Sequence, residues 1–143
     1  MSAQRYLDDV AVGEEMPPMR KTATRAQVFL FSAATNNPHR IHYDREYAAV
    51  EGHPDVLVHG PLQGAWLSQY TADWAGPAGK VLALSWQNRA RAFPERELTF
   101  LGKVTGIDGD VVSLEIWEQD GTGAVLMPAT ARIQLPRKHG GTT

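Results

Sequence analysis

The stretch whose reading decides the fold is residues 58–77, VHGPLQGAWLSQYTADWAGP. Pro61 falls where a first helical turn would start, the one part of a helix that loses no hydrogen bond to a proline. Leu62, Trp66, Tyr70 and Trp74 then recur every fourth residue, and Ala65, Leu67 and Ala72 widen the apolar surface until it runs nearly all round. A helix of that composition is expected to be buried and central. Gly76-Pro77 ends it with both of the usual stop signals.

Downstream, everything reads as strand. Residues 80–87 are apolar and β-tolerant, residues 98–107 alternate, Val112, Leu114 and Ile116 alternate, and residues 125–135 close the chain. Asp108-Gly109 and Asp120-Gly121 are hairpin signals, so the last three segments should form an antiparallel meander. Pro128 argues for an edge or a bulge at its position. Upstream, residues 1–21 carry Gly13-Glu14-Glu15 and Pro17-Pro18, the composition of an extended arm turning over the surface. Thr24 can cap a short helix that ends at Asn36-Asn37-Pro38, and Asp44 a second one that runs to Val50. Val56-Leu57-Val58 reads as a brief buried strand or extended segment. A long buried helix followed by an antiparallel sheet gives an α+β class, one domain over residues 1–143 with a sheet wrapped round the helix; the tail 137–143 reads as disordered. A single sheet would leave its far face apolar and partly bare, which argues for dimerisation.

Composition narrows the function. The 143 residues suffice for one domain that buries roughly two-thirds of its unfolded surface. Lys+Arg 14 against Asp+Glu 16 leaves a net charge of −2 and no basic face suited to a nucleic acid. With no cysteine there is no disulfide, thiolate nucleophile or cysteine-ligated metal, and no apolar run approaches the roughly 20 residues that span a bilayer. A cytoplasmic protein with neither nucleic acid nor membrane as partner is the expectation.

The chemistry is concentrated in residues 31–64. Four of the five histidines lie there, at 39, 42, 53 and 59, among Asn36, Asn37, Arg40, Tyr43 and Asp44. Val58-His59-Gly60 brings the chain back at the start of the central helix, whose free N–H groups and positive dipole end suit a developing oxyanion. Pro61 has no N–H, so Gly60 and Leu62 would supply the donors. A histidine beside such a site can exchange a proton at neutral pH. A zinc site from His39, His42 and His59 would need ligand spacings that match no metal motif, and neither metal nor cofactor is expected.

The run Phe31 to Asp44, FSAATNNPHRIHYD, resembles the signature of the MaoC-like, hot-dog-fold enoyl-thioester hydratases and dehydratases, F-A-x-x-S-G-D-x-N-P-x-H-x-D. Laid over it without gaps, His42 takes the place of the family's catalytic histidine and Asn37 that of its catalytic aspartate. Gly60 takes the place of the residue whose amide forms the oxyanion hole, and the resemblance makes residues 61–74 the helix that the sheet wraps. Asn37 in place of aspartate, His39 in place of asparagine and Arg40 in place of proline are departures; this variant is similar to the branch of mitochondrial-type 3-hydroxyacyl-thioester dehydratases and mesaconyl-CoA hydratases. That branch usually carries a second hot-dog half on the same chain, so the resemblance implies a homodimer, a higher homo-oligomer or a separate hot-dog partner subunit.

The implied activity is reversible hydration of a 2-enoyl thioester, or dehydration of a 3-hydroxyacyl thioester, carried on CoA or an acyl carrier. His42 would be the acid/base, because an uncharged Asn37 can orient water but not take its proton. Gly60 N–H would hold the thioester oxygen. Arg40, His39, Pro61 and Leu62 would line the substrate, with Arg40 either meeting a carboxylate or CoA phosphate or pairing with Asp44 or Glu46. His59 reads as packing or capping and His53 as a surface loop residue. Two alternatives remain: a hot-dog thioesterase using the same oxyanion site, and a non-catalytic subunit completing a partner's acyl tunnel.

Overall fold

The structure is a computed structural model that describes residues 3–138. Eight main elements follow in chain order: β1 (Glu15–Thr22), α1 (Arg25–Ala34), α2 (Arg45–Val50), α3 (Gly60–Ala75), β2 (Lys80–Trp86), β3 (Glu97–Asp108), β4 (Val111–Gln119) and β5 (Val125–Gln134). Single 3-10 turns sit at Leu7–Asp9 and Arg40–His42. The five strands form one antiparallel sheet in the order β1-β3-β4-β5-β2, with β3, β4 and β5 as the meander that the Asp-Gly turns signal.

The sheet curves over α3. Leu98, Phe100 and Val104 of β3, Leu114 and Ile116 of β4, and Ala131 and Ile133 of β5 are buried with Trp66, Leu67, Tyr70 and Trp74 of the helix. Phe100 meets Trp66 and Tyr70 with ring centroids 6.2 and 6.5 Å away. At the far edge the Trp86 indole lies on Gly64, where an added Cβ would come within 2.5 Å of the ring. The helix is therefore one-sided rather than apolar all round: Ala65, Ser68, Gln69 and Ala72 are exposed, because the sheet covers only one flank. Among the described residues no helix is long and apolar enough to cross a membrane.

Three other expectations need correcting. The arm before residue 22 is an edge strand, paired with β3 from Glu15↔Lys103 to Thr22↔Glu97; the register slips between Met16 and Met19, which lets Pro17-Pro18 stay in the strand without owing ladder bonds. Pro128 lies in β5, an interior strand: its carbonyl still accepts from Gln87 N–H at 3.1 Å just past the last β2 pair, Trp86↔Ala129, and it stands beside a register shift opposite Glu118 and Gln119. The outer face of the sheet is mixed rather than apolar: Thr105, Ser113, Thr130, Arg132 and a 3.1 Å Lys103–Glu115 ion pair share it with a half-buried strip of Leu101, Trp117 and Pro128. Exposed apolar side chains lie on β2, where Leu82 is 49% exposed beside Val81 and Trp86, and on α1, where Phe29 and Leu30 are 56% and 63% exposed. At the C-terminal end, Lys138 donates from its main chain to Asp8 and from Nζ to Asp9, which ties it to the first 3-10 turn. The rest of the tail expected to be disordered, 139–143, lies outside the described residues.

Candidate functional site

Residues 35–59 form an overhang between α1 and α3. Thr24 caps α1 by accepting from Gln27 N–H at 3.0 Å, and Asn36 takes φ 51° to turn the chain out, a left-handed conformation that Asn tolerates. The 40–42 turn follows, and Asp44 caps α2 by accepting from Tyr47 N–H at 3.0 Å. The returning segment is pinned on both sides. Leu57 N–H donates to Ile41 C=O and Val58 N–H to Ala92 C=O, each at 2.9 Å. Arg25 grips Asp55 with two bonds of 2.9 and 2.7 Å, and the guanidinium holds that carboxyl down to about 2.

These restraints fix His42. Its Nδ1 lies 2.9 Å from Leu57 C=O, and since a carbonyl can only accept, Nδ1 carries the hydrogen and Nε2 keeps the lone pair. Burial holds the His42 pKa below the ordinary imidazole value, with His39 pushing the same way and the Leu57 bond opposing. Beneath it His59 stacks face to face, ring centroids 3.7 Å apart and planes inclined by 17°. His59 is buried, bonds through Nε2 to Ser32 Oγ at 2.7 Å, and is flanked by Phe31 at 4.9 Å. Burial pushes its pKa down to about 4, with the neighbouring His42 adding to the effect, so it stays neutral under its partner.

His59 is also the N-cap residue of α3. Gln63 N–H closes the first helical bond, on His59 C=O at 3.1 Å, which leaves the N–H groups of Gly60 and Leu62 ahead of it without a helical acceptor. The His42 ring is thus stacked on the residue that caps the helix carrying those donors.

The other expected site residues are placed as follows. Asn37 is half-buried, with its N–H on Ser32 C=O at 2.8 Å and its Oδ1 accepting from His39 N–H at 3.3 Å. His39 has its ring edge-on to His42 at 6.3 Å, and its Nε2 is 3.9 Å from Glu51. Arg40 turns away to Asp44 at 2.6 Å and lies over the Tyr47 ring. Pro61 is exposed and Leu62 buried. No group of three or more metal-ligating side chains occurs among the described residues, and face-to-face imidazoles cannot aim lone pairs at one ion. His59, read from the sequence as packing or capping, sits at the N-cap of α3 and packs under the His42 ring.

The model for the hydroxyacyl-thioester dehydratase type 2 family matches residues 10–93, well over half of the chain. Mesaconyl-C(4)-CoA hydratase of Chloroflexus aurantiacus is 35% identical over 126 residues, 83% of this chain but only 42% of that protein's own length. The (R)-hydratase of A. caviae involved in PHA biosynthesis superposes with a TM-score of 0.81 at 24% identity, covering 90% of this chain and 98% of that one. A MaoC-like dehydratase from Rhodospirillum rubrum gives 0.81 at 19% identity, over 94% and 99%. The antiparallel sheet folded over one helix is thus the hot-dog fold. With the family model and the hydratase relative agreeing on the segment that carries His42 and Gly60, the chain belongs to the MaoC-like hydratases and dehydratases, in the hydroxyacyl-thioester dehydratase type 2 family.

Proposed function

We propose that this chain is a hydro-lyase that adds water to a 2-enoyl thioester, and removes it from a 3-hydroxyacyl thioester, on CoA or an acyl carrier. The observation that carries the reading is the fixed tautomer of His42: Nδ1–H is spent on Leu57 C=O, leaving an unprotonated Nε2 on a ring stacked over His59, the N-cap residue of α3. In hydration, Nε2 takes a proton from water as the oxygen bonds to C3. The electron pair of the double bond moves onto the thioester oxygen, where Gly60 and Leu62 N–H hold the enolate. The imidazolium then returns its proton to C2, so the sum is one water added and His42 restored.

Asn37 supports this without sharing the base role. Its amide, with Oδ1 accepting one bond from His39 N–H at 3.3 Å and keeping a second lone pair and two N–H donors, is the group that orients the attacking water. His39 and Pro61 border the approach and Leu62 its apolar floor, while Arg40, held by Asp44, shapes the overhang more than it meets substrate.

A second hot-dog unit completes the reading, either another copy or a different chain. The chain spans under half of its hydratase relative, and among the described residues β2 pairs with β5 alone, so the long edge with Val81 and Leu82 exposed has no partner strand there. The cysteine-free composition suits the cytoplasm, where CoA thioesters are plentiful.

The test is a panel of straight, branched and dicarboxylic enoyl-CoAs offered to the purified chain, following loss of the conjugated double bond, with molecular mass from size exclusion. Turnover by the wild type and its loss in a folded His42→Ala variant are expected. Wild-type turnover in His42→Ala would remove the central claim. Thiol release without loss of the double bond would make the chain a thioesterase, and activity only with a co-expressed hot-dog chain would make it a subunit.

A further inference from the structure

The connection from β2 to β3, residues 87–96, crosses the end of the sheet and carries QNRARAFPER, with three arginines and no acid before Glu95. Five other arginines, Arg5, Arg20, Arg25, Arg40 and Arg45, each lie against a carboxylate. Arg89 and Arg91 do not, among the described residues. Neutral groups hold them instead. Arg89 donates Nε and Nη2 to Gln87 Oε1 at 2.9 and 2.7 Å. Arg91 donates Nη1 to Gly52 C=O at 3.2 Å and to His53 Nδ1 at 3.0 Å. A guanidinium has five N–H donors, so each side chain is oriented while keeping its charge and several unspent donors.

Both arginines line a cleft of about 240 Å³ together with Leu57, Val58, Gln63 and Asn88. That cleft abuts the reaction centre. Leu57 is the residue whose carbonyl fixes His42, Gln63 is in the first turn of α3, and a Cβ built on Gly60 would come within 2.8 Å of the Asn88 amide. Two cations set in a recess, with no internal anion, at the wall of an oxyanion-binding helix end make a place for a bidentate anionic oxygen group.

We propose that Arg89 and Arg91 form an anion subsite that binds a charged oxygen group of the substrate, either a phosphate of the carrier arm or a carboxylate on the acyl chain. Arg40, the arginine that the sequence pattern favoured for this task, is already paired. That the anion belongs to a thioester substrate rests on the hydratase reading; the subsite itself does not.

The test uses the full chain, wild type and the double variant Arg89→Gln/Arg91→Gln, whose changes are at exposed side chains and should leave the melting temperature unchanged. Calorimetric binding of butyryl-CoA and succinyl-CoA, neither of which can be hydrated, is measured beside steady-state kinetics with a mono- and a dicarboxylic enoyl group, each on CoA and on N-acetylcysteamine. Loss of a charge-assisted bidentate contact should weaken binding or raise KM about tenfold or more, with kcat nearly unchanged. A loss on every CoA ligand but not on N-acetylcysteamine assigns the phosphate. A loss on dicarboxylic ligands alone, on both carriers, assigns the carboxylate. Unaltered binding and KM throughout would overturn the subsite while leaving a turnover-competent hydratase in place, and a binding loss without any turnover would keep the subsite and sink the hydratase.

Discussion

Replacing Glu118 by glutamine should stabilise the protein, and do so more the higher the pH. Glu118 points inward from β4, directly across from Phe100 of β3 and Met127 of β5, both fully buried. It is itself fully buried, and neither carboxyl oxygen has a hydrogen-bond partner among the described residues. Burial pushes its pKa up from 4.5 to about 8. Between those values the folded chain holds a proton that the unfolded chain has released, so the stability of the wild type falls as pH rises through the window. Each pH unit is worth about 1.4 kcal/mol, which makes the accumulated loss about 3 kcal/mol at pH 7 and at most about 5 kcal/mol near pH 8. The side chain of the Glu118→Gln variant cannot ionise, and its unmet amide costs the same at every pH. Thermal melts of both proteins at pH 5, 6, 7 and 8 cancel every other titration, and the gap between them should widen across that range by about 10 °C. A gap that stays constant would refute the reasoning, since it would mean that Glu118 finds a charged or hydrated partner in the folded chain.

The remaining predictions concern the site and its supports. Because His42 must be unprotonated to act and burial holds it below 6.5, kcat/KM for an enoyl-CoA should be level through pH 7 and 8 and fall only on an acid limb below 6.5; a limb above pH 7 would contradict the assignment. His59→Ala removes the ring that backs His42 and should cost about 100-fold in kcat, whereas His59→Phe keeps an aromatic ring there and should cost less. Equal losses in the two variants would make the Ser32 bond, which both remove, the working feature instead of the stack. Asp55→Asn loosens the overhang from α1; with Arg25 half-exposed the loss should be about 1 kcal/mol in a urea titration at pH 7, shrinking as pH falls from 4 through about 2 where the wild-type carboxylate also protonates. Leu82→Lys places a charge on the open β2 edge and should lower the mass seen by size exclusion if that edge pairs with a second copy.

Much of the candidate site was legible in the chain itself. His42, Asn37 and Gly60 are singled out by the resemblance of residues 31–44 and 58–60 to the MaoC-like pattern, and the first turn of α3 announces itself through Pro61. For Arg40 the sequence pattern left two uses open, and the structure shows the i,i+4 pairing with Asp44. Arg89 and Arg91 gave no signal, because an arginine's availability depends on which carboxylates the fold brings near it. Glu118 was equally silent: Ile116 and Glu118 share one face of a strand, but only assembly with β3 and β5 shows that this end of the face is sealed.

The sequence by itself determined the local structure: a 3.6-residue apolar repeat makes α3, two-residue alternation makes the β3-β4-β5 meander, Asp-Gly pairs make its turns, and Thr24 and Asp44 set helix starts. Those are short-range effects, complete within a few residues. Tertiary structure alone decided which side of α3 is covered, that the segment with two prolines becomes an edge strand, and that His59 comes to lie under His42 with Nδ1 of the latter on Leu57. Each of these depends on contacts between residues distant in the chain, whose energies exist only once the sheet has closed over the helix.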